Sequence, residues 1–147
     1  MIAGVDYICV TTPFYCNDGK GNFVIHKRSN NTRDEKGRWD FGGGRVEFGE
    51  ELESAAFREV REEYGVDGVI QEQLPAHSLL REVNGVKTHW IVVAFFIKVD
   101  ISKVKNKETK KIEEIRISTL DNLPKPLHSG LKYSLKRYKK YFEKYKK

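Results

Sequence analysis

The sequence predicts an α/β fold in which a mixed β-sheet lies between two helical layers. Three observations predict it. The stretch THWIVVAFFIKV (88–99) is apolar on both faces of an extended strand, with Trp90, Val92, Ala94 and Phe96 on one and Ile91, Val93, Phe95 and Ile97 on the other. A strand of that kind needs cover on both sides. Residues 50–64 repeat Leu52, Ala55, Ala56, Glu59, Val60 and Glu63 at three- and four-residue intervals, the period of a helix that can supply one layer. Leu131, Leu135, Tyr138, Phe142 and Tyr145 follow at four-three-four-three spacing, so a basic C-terminal helix at about 128–147 can supply the other.

Along the chain, residues 3–11 (AGVDYICVT) alternate as a strand. Residues 21–29 (GNFVIHKRS) read as a second, after the turn residues Asn17, Asp18, Gly19 and Gly21. Residues 29–37 form a polar loop, and Trp39, Asp40 and Phe41 lead into glycines. The helix over 50–64 is expected to stop at Gly65. Asn84-Gly85 is the signature of a type I′ hairpin turn, whose two-residue loop pairs Val83 with Val86 and Glu82 with Lys87. Trp39 and Trp90 are expected in the core.

At 147 residues the chain has the length of one domain, read as spanning 1–147. Hydrophobic residues at 39% and charged residues at 33% place it among globular proteins. The N-terminus lacks the pattern of a signal peptide and no apolar run is long enough to cross a bilayer, so the expectation is a cytoplasmic protein without a membrane partner. Cys9 and Cys16, with no zinc-ligand spacing, read as reduced packing thiols. The net charge of +6 belongs to the tail: residues 131–147 carry eight Lys or Arg against Glu143 alone. Its tyrosines fall at helical spacing, which favours a packed face with solvated lysines over a nucleic-acid surface. His26, His77, His89 and His128 lie on separate elements and read as surface or core residues rather than ligands.

The chemistry concentrates in GGGRVEFGEELESAAFREVREEYGV (42–66). At about 100° per residue, Glu62 and Glu63 flank Glu59 on one side of a helix, so the three carboxylates can aim at one region. Alone they would repel, which raises their proton affinity; Mg²⁺, which prefers carboxylate oxygens, removes that conflict. Gly42, Gly43 and Gly44 let backbone approach an ion or phosphate closely. A solvated helix face with ion pairs is the blander reading, and the glycines and the spacing of Glu50 to Arg58 weigh against it.

From Gly44 the chain runs five residues to Glu50, seven more, then Arg58-Glu59-Val60-x-Glu62-Glu63-x-Gly65-Val66. This fills every fixed position of the Nudix box, and the sequence resembles a Nudix hydrolase. The resemblance implies a Nudix-type α/β/α sandwich, with Glu59, Glu62 and Glu63 as catalytic metal ligands for Mg²⁺ or Mn²⁺. It implies a further metal ligand in the carbonyl of Gly43 or Gly44, both also near the substrate, and an orienting ion pair between Arg58 and Glu50. The family usually has proline where this chain has Gly42. Glu114 is the candidate general base, with Glu113 as runner-up, and Lys27 or Arg28, here Arg28, the candidate substrate-binding cation.

The implied activity is Mg²⁺-dependent cleavage of a phosphoanhydride bond in a nucleoside diphosphate linked to another group. Markers of the ADP-ribose and dinucleoside polyphosphate branches are absent, which leaves nucleoside triphosphates, oxidised ones such as 8-oxo-dGTP included. The alternative is a Nudix-fold binding or regulatory module associated with RNA, and the complete set of glutamates favours the enzyme. The partner is thus a small-molecule nucleotide; a monomer and a homodimer are both compatible with the sequence.

Overall fold

The structure, a computed structural model, describes residues 1–146, without the side chain of Val83. Nine strands and three helices follow one another as β1 (Cys9–Thr11), β2 (Phe14–Asn17), β3 (Asn22–Arg28), β4 (Trp39–Asp40), α1 (Leu52–Tyr64), β5 (Gly68–Gln73), β6 (His77–Val83), β7 (Val86–Val92), β8 (Phe95–Val99), β9 (Ile112–Thr119), α2 (Ser129–Arg137) and α3 (Lys139–Glu143). A six-stranded sheet has the order β4-β3-β2-β8-β5, with β9 also on β3, and a three-stranded sheet has the order β1-β7-β6. Both contain parallel and antiparallel pairs, as a mixed sheet requires.

Both faces of the large sheet are covered. Phe14, Val24, Phe95 and Ile97 pack with Ala56, Val60 and Tyr64 of α1. Tyr15, Phe23, Ile25 and Phe96 pack with Leu131, Tyr138 and Phe142 of the C-terminal segment. Period-two alternation along each strand divides the side chains in this way. Trp39 joins the second core and lies beneath the Arg116 guanidinium, 4.6 Å from the ring centroid. Cys9 and Cys16 are free thiols, the second fully buried.

Local signals hold where they were strongest. Helix α1 ends at Gly65, whose φ of 67° is the left-handed conformation that glycine adopts without steric cost. Asn84 and Gly85 both have positive φ, 51° and 79°, and the register is Val83↔Val86 and Glu82↔Lys87. No helix of the described residues is long and apolar enough to cross a membrane.

Three expectations are corrected. The strand expected over 3–11 forms only at Cys9–Thr11; before it the chain turns through Gly4, which lies against the Trp90 indole. The strand expected over 88–99 breaks at Val93 and Ala94 into β7 and β8, which belong to different sheets. Thr12 and Pro13 break the preceding pair of strands at the same level, with Val93 N donating to Thr11 O at 3.0 Å and Phe95 N to Pro13 O at 3.0 Å. Two parallel chain segments thus cross together from one sheet to the other. The C-terminal helix is two helices joined at Tyr138, whose φ and ψ of −106° and 30° leave the helical range. Its apolar stripe survives the break, because Tyr138 is itself buried at the joint.

Candidate active site

The site grows from the side of α1. Arg58 is the centre of an ion-pair web: Nε meets Glu50 Oε2 at 2.7 Å, Nη2 meets Glu50 Oε1 at 2.9 Å, and Nη1 meets Glu59 at 2.8 Å and Glu62 at 3.4 Å. The fork-on-carboxylate pairing with Glu50 is the orienting contact implied by the spacing. It holds the Glu50 carboxyl down at about 2, through its bonds from Arg58 and from Glu47 N. Burial pushes the Glu59 carboxyl up, with Arg58 acting in the opposite sense.

Glu63 is placed differently. Its Oε2 is buried and has no hydrogen-bond partner. Burial, with the negative charges of Glu59, Asp40 and Glu108, pushes this carboxyl well above the ordinary glutamate value. An unpaired buried carboxylate is costly, and it is the strongest local sign that a cation belongs here.

The glycines make room for these acids. A β-carbon on Gly44 would collide with the Glu59 carboxyl, and one on Gly42 would stand 2.8 Å from Glu63 Oε2. The loop is fixed to the crossing strands by Phe14 N→Gly42 O at 3.2 Å and Thr12 N→Gly44 O at 2.8 Å. Thr11 and Thr12 hydroxyls also donate to Gly44 O, at 3.1 and 3.3 Å. That carbonyl therefore already has three donors around it. Gly43 O receives no hydrogen bond among the described residues and is the free carbonyl of the loop. Gly44→Ala is expected to keep the fold but displace Glu59, and a misplacement of about 1 Å can cost on the order of a hundredfold in rate. Steady-state kinetics of that variant, read beside its melting temperature, checks this; full activity would detach Glu59 from the chemistry.

The three glutamates are held apart in the metal-free arrangement. Among the described residues no group of three His, Cys, Asp or Glu side chains stands ready to hold an ion, because Arg58 draws Glu59 and Glu62 to itself while Glu63 turns in beside Gly42.

A cleft of about 600 Å³ runs from Glu63 and Gly42–Gly44, past His26, Arg28 and Asp40, to an aromatic and apolar end at His77, Leu79, Trp90 and Tyr133. A more open hollow of about 630 Å³ between residues 4–8 and the β6–β7 hairpin contains none of the box glutamates. Arg28 lines the cleft while its guanidinium bonds Asp34 at 2.8 Å. Glu114 does not line it. Strand alternation puts Glu114 with Arg116 on the face covered by the C-terminal helices, and Arg116 holds it at 2.8 Å. Glu113 pairs with Lys27 at 3.0 Å.

Several cleft residues escaped sequence reasoning. Asp40 faces His26 across β3 and β4. The Tyr15 hydroxyl is buried in the cleft wall without a partner. His26, His77 and His128, from three separate elements, all reach the cleft. Burial, with Arg28 and His128 nearby, brings the His26 imidazole down to about 4, with Asp40 opposing the shift. The alternation of β3, which sends residue 26 to the α1 face with Val24, could have placed His26.

A family model described as the NUDIX domain matches residues 10–138. Over 56 residues the chain is 41% identical to the CTP pyrophosphohydrolase of Escherichia coli (strain K12), a match that spans 38% of this chain and 40% of that protein. The fold is similar to a MutT NUDIX hydrolase from Burkholderia pseudomallei, with a TM-score of 0.75 and 23% identity over 90% of this chain and 99% of that one. It is also similar to a MutT protein from Methanosarcina mazei Go1, with a TM-score of 0.70 and 23% identity over 91% and 94%. With its box filled and its model match covering most of the sequence, the chain belongs to the Nudix family.

Proposed function

We propose that the protein is a Mg²⁺-dependent pyrophosphohydrolase of nucleoside triphosphates, with CTP the first candidate substrate. The observation that carries this reading is the one cleft of about 600 Å³ that joins a buried, partnerless Glu63 beside bare glycine backbone to the aromatic side chains of Trp90 and Tyr133. CTP comes first because of the relative that shares 41% identity over part of the chain; oxidised purine triphosphates come next. In the reaction, water adds to phosphorus and the anhydride oxygen departs with the other fragment.

The residues that fit a divalent ion are Glu63, Glu59 and Glu62 with the carbonyl of Gly43, since a cation there would satisfy Glu63 Oε2 and offset the like charges around it. When bound, Mg²⁺ or Mn²⁺ supplies charge neutralisation on the phosphates and a more acidic water. The chain does the rest. Arg58 and Glu50 fix the helix face, the Gly42–Gly44 backbone lets phosphates approach, and Arg28 offers a cation to them. Trp90 and Tyr133 offer faces for stacking.

The decisive experiment measures phosphate and pyrophosphate release from a panel of nucleotides with Mg²⁺, with Mn²⁺ and with chelator. Metal-dependent turnover of a triphosphate supports the reading. No turnover of any compound, together with salt-sensitive RNA binding, would move the assignment to a binding module that uses the basic face of α2 and α3.

A further inference from the structure

Two of the cleft histidines are held in the same unusual way. His26 Nδ1 lies 2.6 Å from the Tyr64 hydroxyl, which donates to Phe41 O at 2.8 Å. His77 Nδ1 lies 2.6 Å from the Tyr138 hydroxyl, which donates to Pro75 O at 2.6 Å. A phenol has one hydrogen, and in both cases a carbonyl takes it. Each imidazole must therefore carry its proton on Nδ1 and keep a lone pair on Nε2. Neither Nε2 has a partner among the described residues, and both rings line the cleft.

The two tyrosines come from opposite layers, Tyr64 from α1 and Tyr138 from the α2–α3 joint, and both are buried. His128 shows that this wiring is not general. Its Nδ1 accepts from Gly130 N at 2.9 Å, which leaves Nε2 to donate to Glu35 at 2.9 Å.

We propose that His26 and His77 read the nucleotide as fixed acceptors, Nε2 of His77 taking an N–H of the base and Nε2 of His26 an O–H of the sugar. This rests on the nucleotide reading of the cleft above. His77 stands at the end with Leu79, Trp90 and Tyr133, where a base stacks; His26 stands beside Asp40 and Gly42, on the way to the phosphates. A lone pair at either point repels a carbonyl or phosphate oxygen and attracts a donor. The cleft thus favours a ribonucleotide that presents a base N–H to His77, which in cytosine is the exocyclic amino group.

The test is binding of α,β-methylene-CTP with Mg²⁺, followed by calorimetry, against two analogues: one with the 2-pyrimidinone base, which lacks the amino group, and one with a 2′,3′-dideoxy sugar. His77→Asn and His26→Asn keep an amide hydrogen near the tyrosine and remove the Nε2 acceptor. His77→Asn is expected to weaken the cytosine ligand about three- to tenfold, the worth of one neutral hydrogen bond, and to leave the 2-pyrimidinone ligand unchanged. His26→Asn is expected to weaken the ribose ligand by a similar factor and leave the dideoxy ligand unchanged. Equal losses on the ligand that lacks the donor, no loss at all, or no nucleotide binding overturn the proposal. Long-range ¹H–¹⁵N spectra of the unaltered protein provide a check that needs no variant to fold: a proton on Nε2 of either ring overturns it. Neither measurement depends on turnover, so a nucleotide panel without turnover would sink the hydrolase reading separately.

Discussion

Glu63→Gln is expected to lower metal-dependent turnover on the order of a hundredfold or more, the scale of losing one key electrostatic group, and to leave the fold intact. The second half follows from its surroundings. Glu63 Oε2 is buried with no partner, among the charges of Glu59, Asp40 and Glu108, so the neutral amide relieves repulsion rather than breaking a bond. Linkage gives the sign. A carboxyl whose folded pKa is raised contributes stability below its unfolded value, about 4.3, and loses it as pH climbs through the folded value. The metal-free protein should therefore melt lower than Glu63→Gln at neutral pH, with the gap closing below about pH 4. Melting curves with and without Mg²⁺ complete the check, since the ion should raise the melting temperature of the parent and do little for the variant. A variant with near-normal Mg²⁺-dependent activity would mean that the metal is held elsewhere.

Cutting the chain after Ser129 is expected to destabilise the protein severely. Leu131, Tyr138 and Phe142 are each at most 4% exposed, and Tyr145 stacks on Phe96 with centroids 3.9 Å apart. Burying three such side chains contributes several kcal/mol at about 1.5 to 3 each, a large share of the stability of a domain this size. Charge is not what the segment supplies to the fold. Lys139 and Lys140 are exposed and make no ion pair among the described residues, so replacing both by Gln should shift the urea midpoint little. Harmless truncation, with activity that collapses on loss of the lysines, would show that the segment is a binding arm.

How legible the protein was depended on the range of the interaction. The helix α1, its stop at Gly65 and the register about Asn84-Gly85 are set within a few residues, and the sequence shows them. The stripe of the C-terminal segment was equally plain, although the break at Tyr138 was not: periodicity counts faces and is silent on a joint. The change of sheet at Val93 and Ala94 was hidden because both halves are apolar on both sides, so nothing in residue type marks which neighbour each half takes. The glutamates of the box were legible as a group. Their conformations were not, since one guanidinium, Arg58, decides where Glu59 and Glu62 turn. His26 and Tyr64 are 38 positions apart, and His77 and Tyr138 61; neither pairing leaves a local trace.

The paired crossing of strands at Thr12–Pro13 and Val93–Ala94 has a consequence for how such a molecule can change. The carboxylates and the glycine loop belong to the large sheet and its helix, whereas His77, Leu79, Trp90 and Val92 belong to the small one. The crossing thus puts the two ends of the cleft on different sheets. Substitutions in the β6–β7 hairpin are thus expected to reshape the His77 end of the cleft and leave Gly42 and Gly44 in place, because the backbone amides that hold those carbonyls, Phe14 N and Thr12 N, lie outside the hairpin.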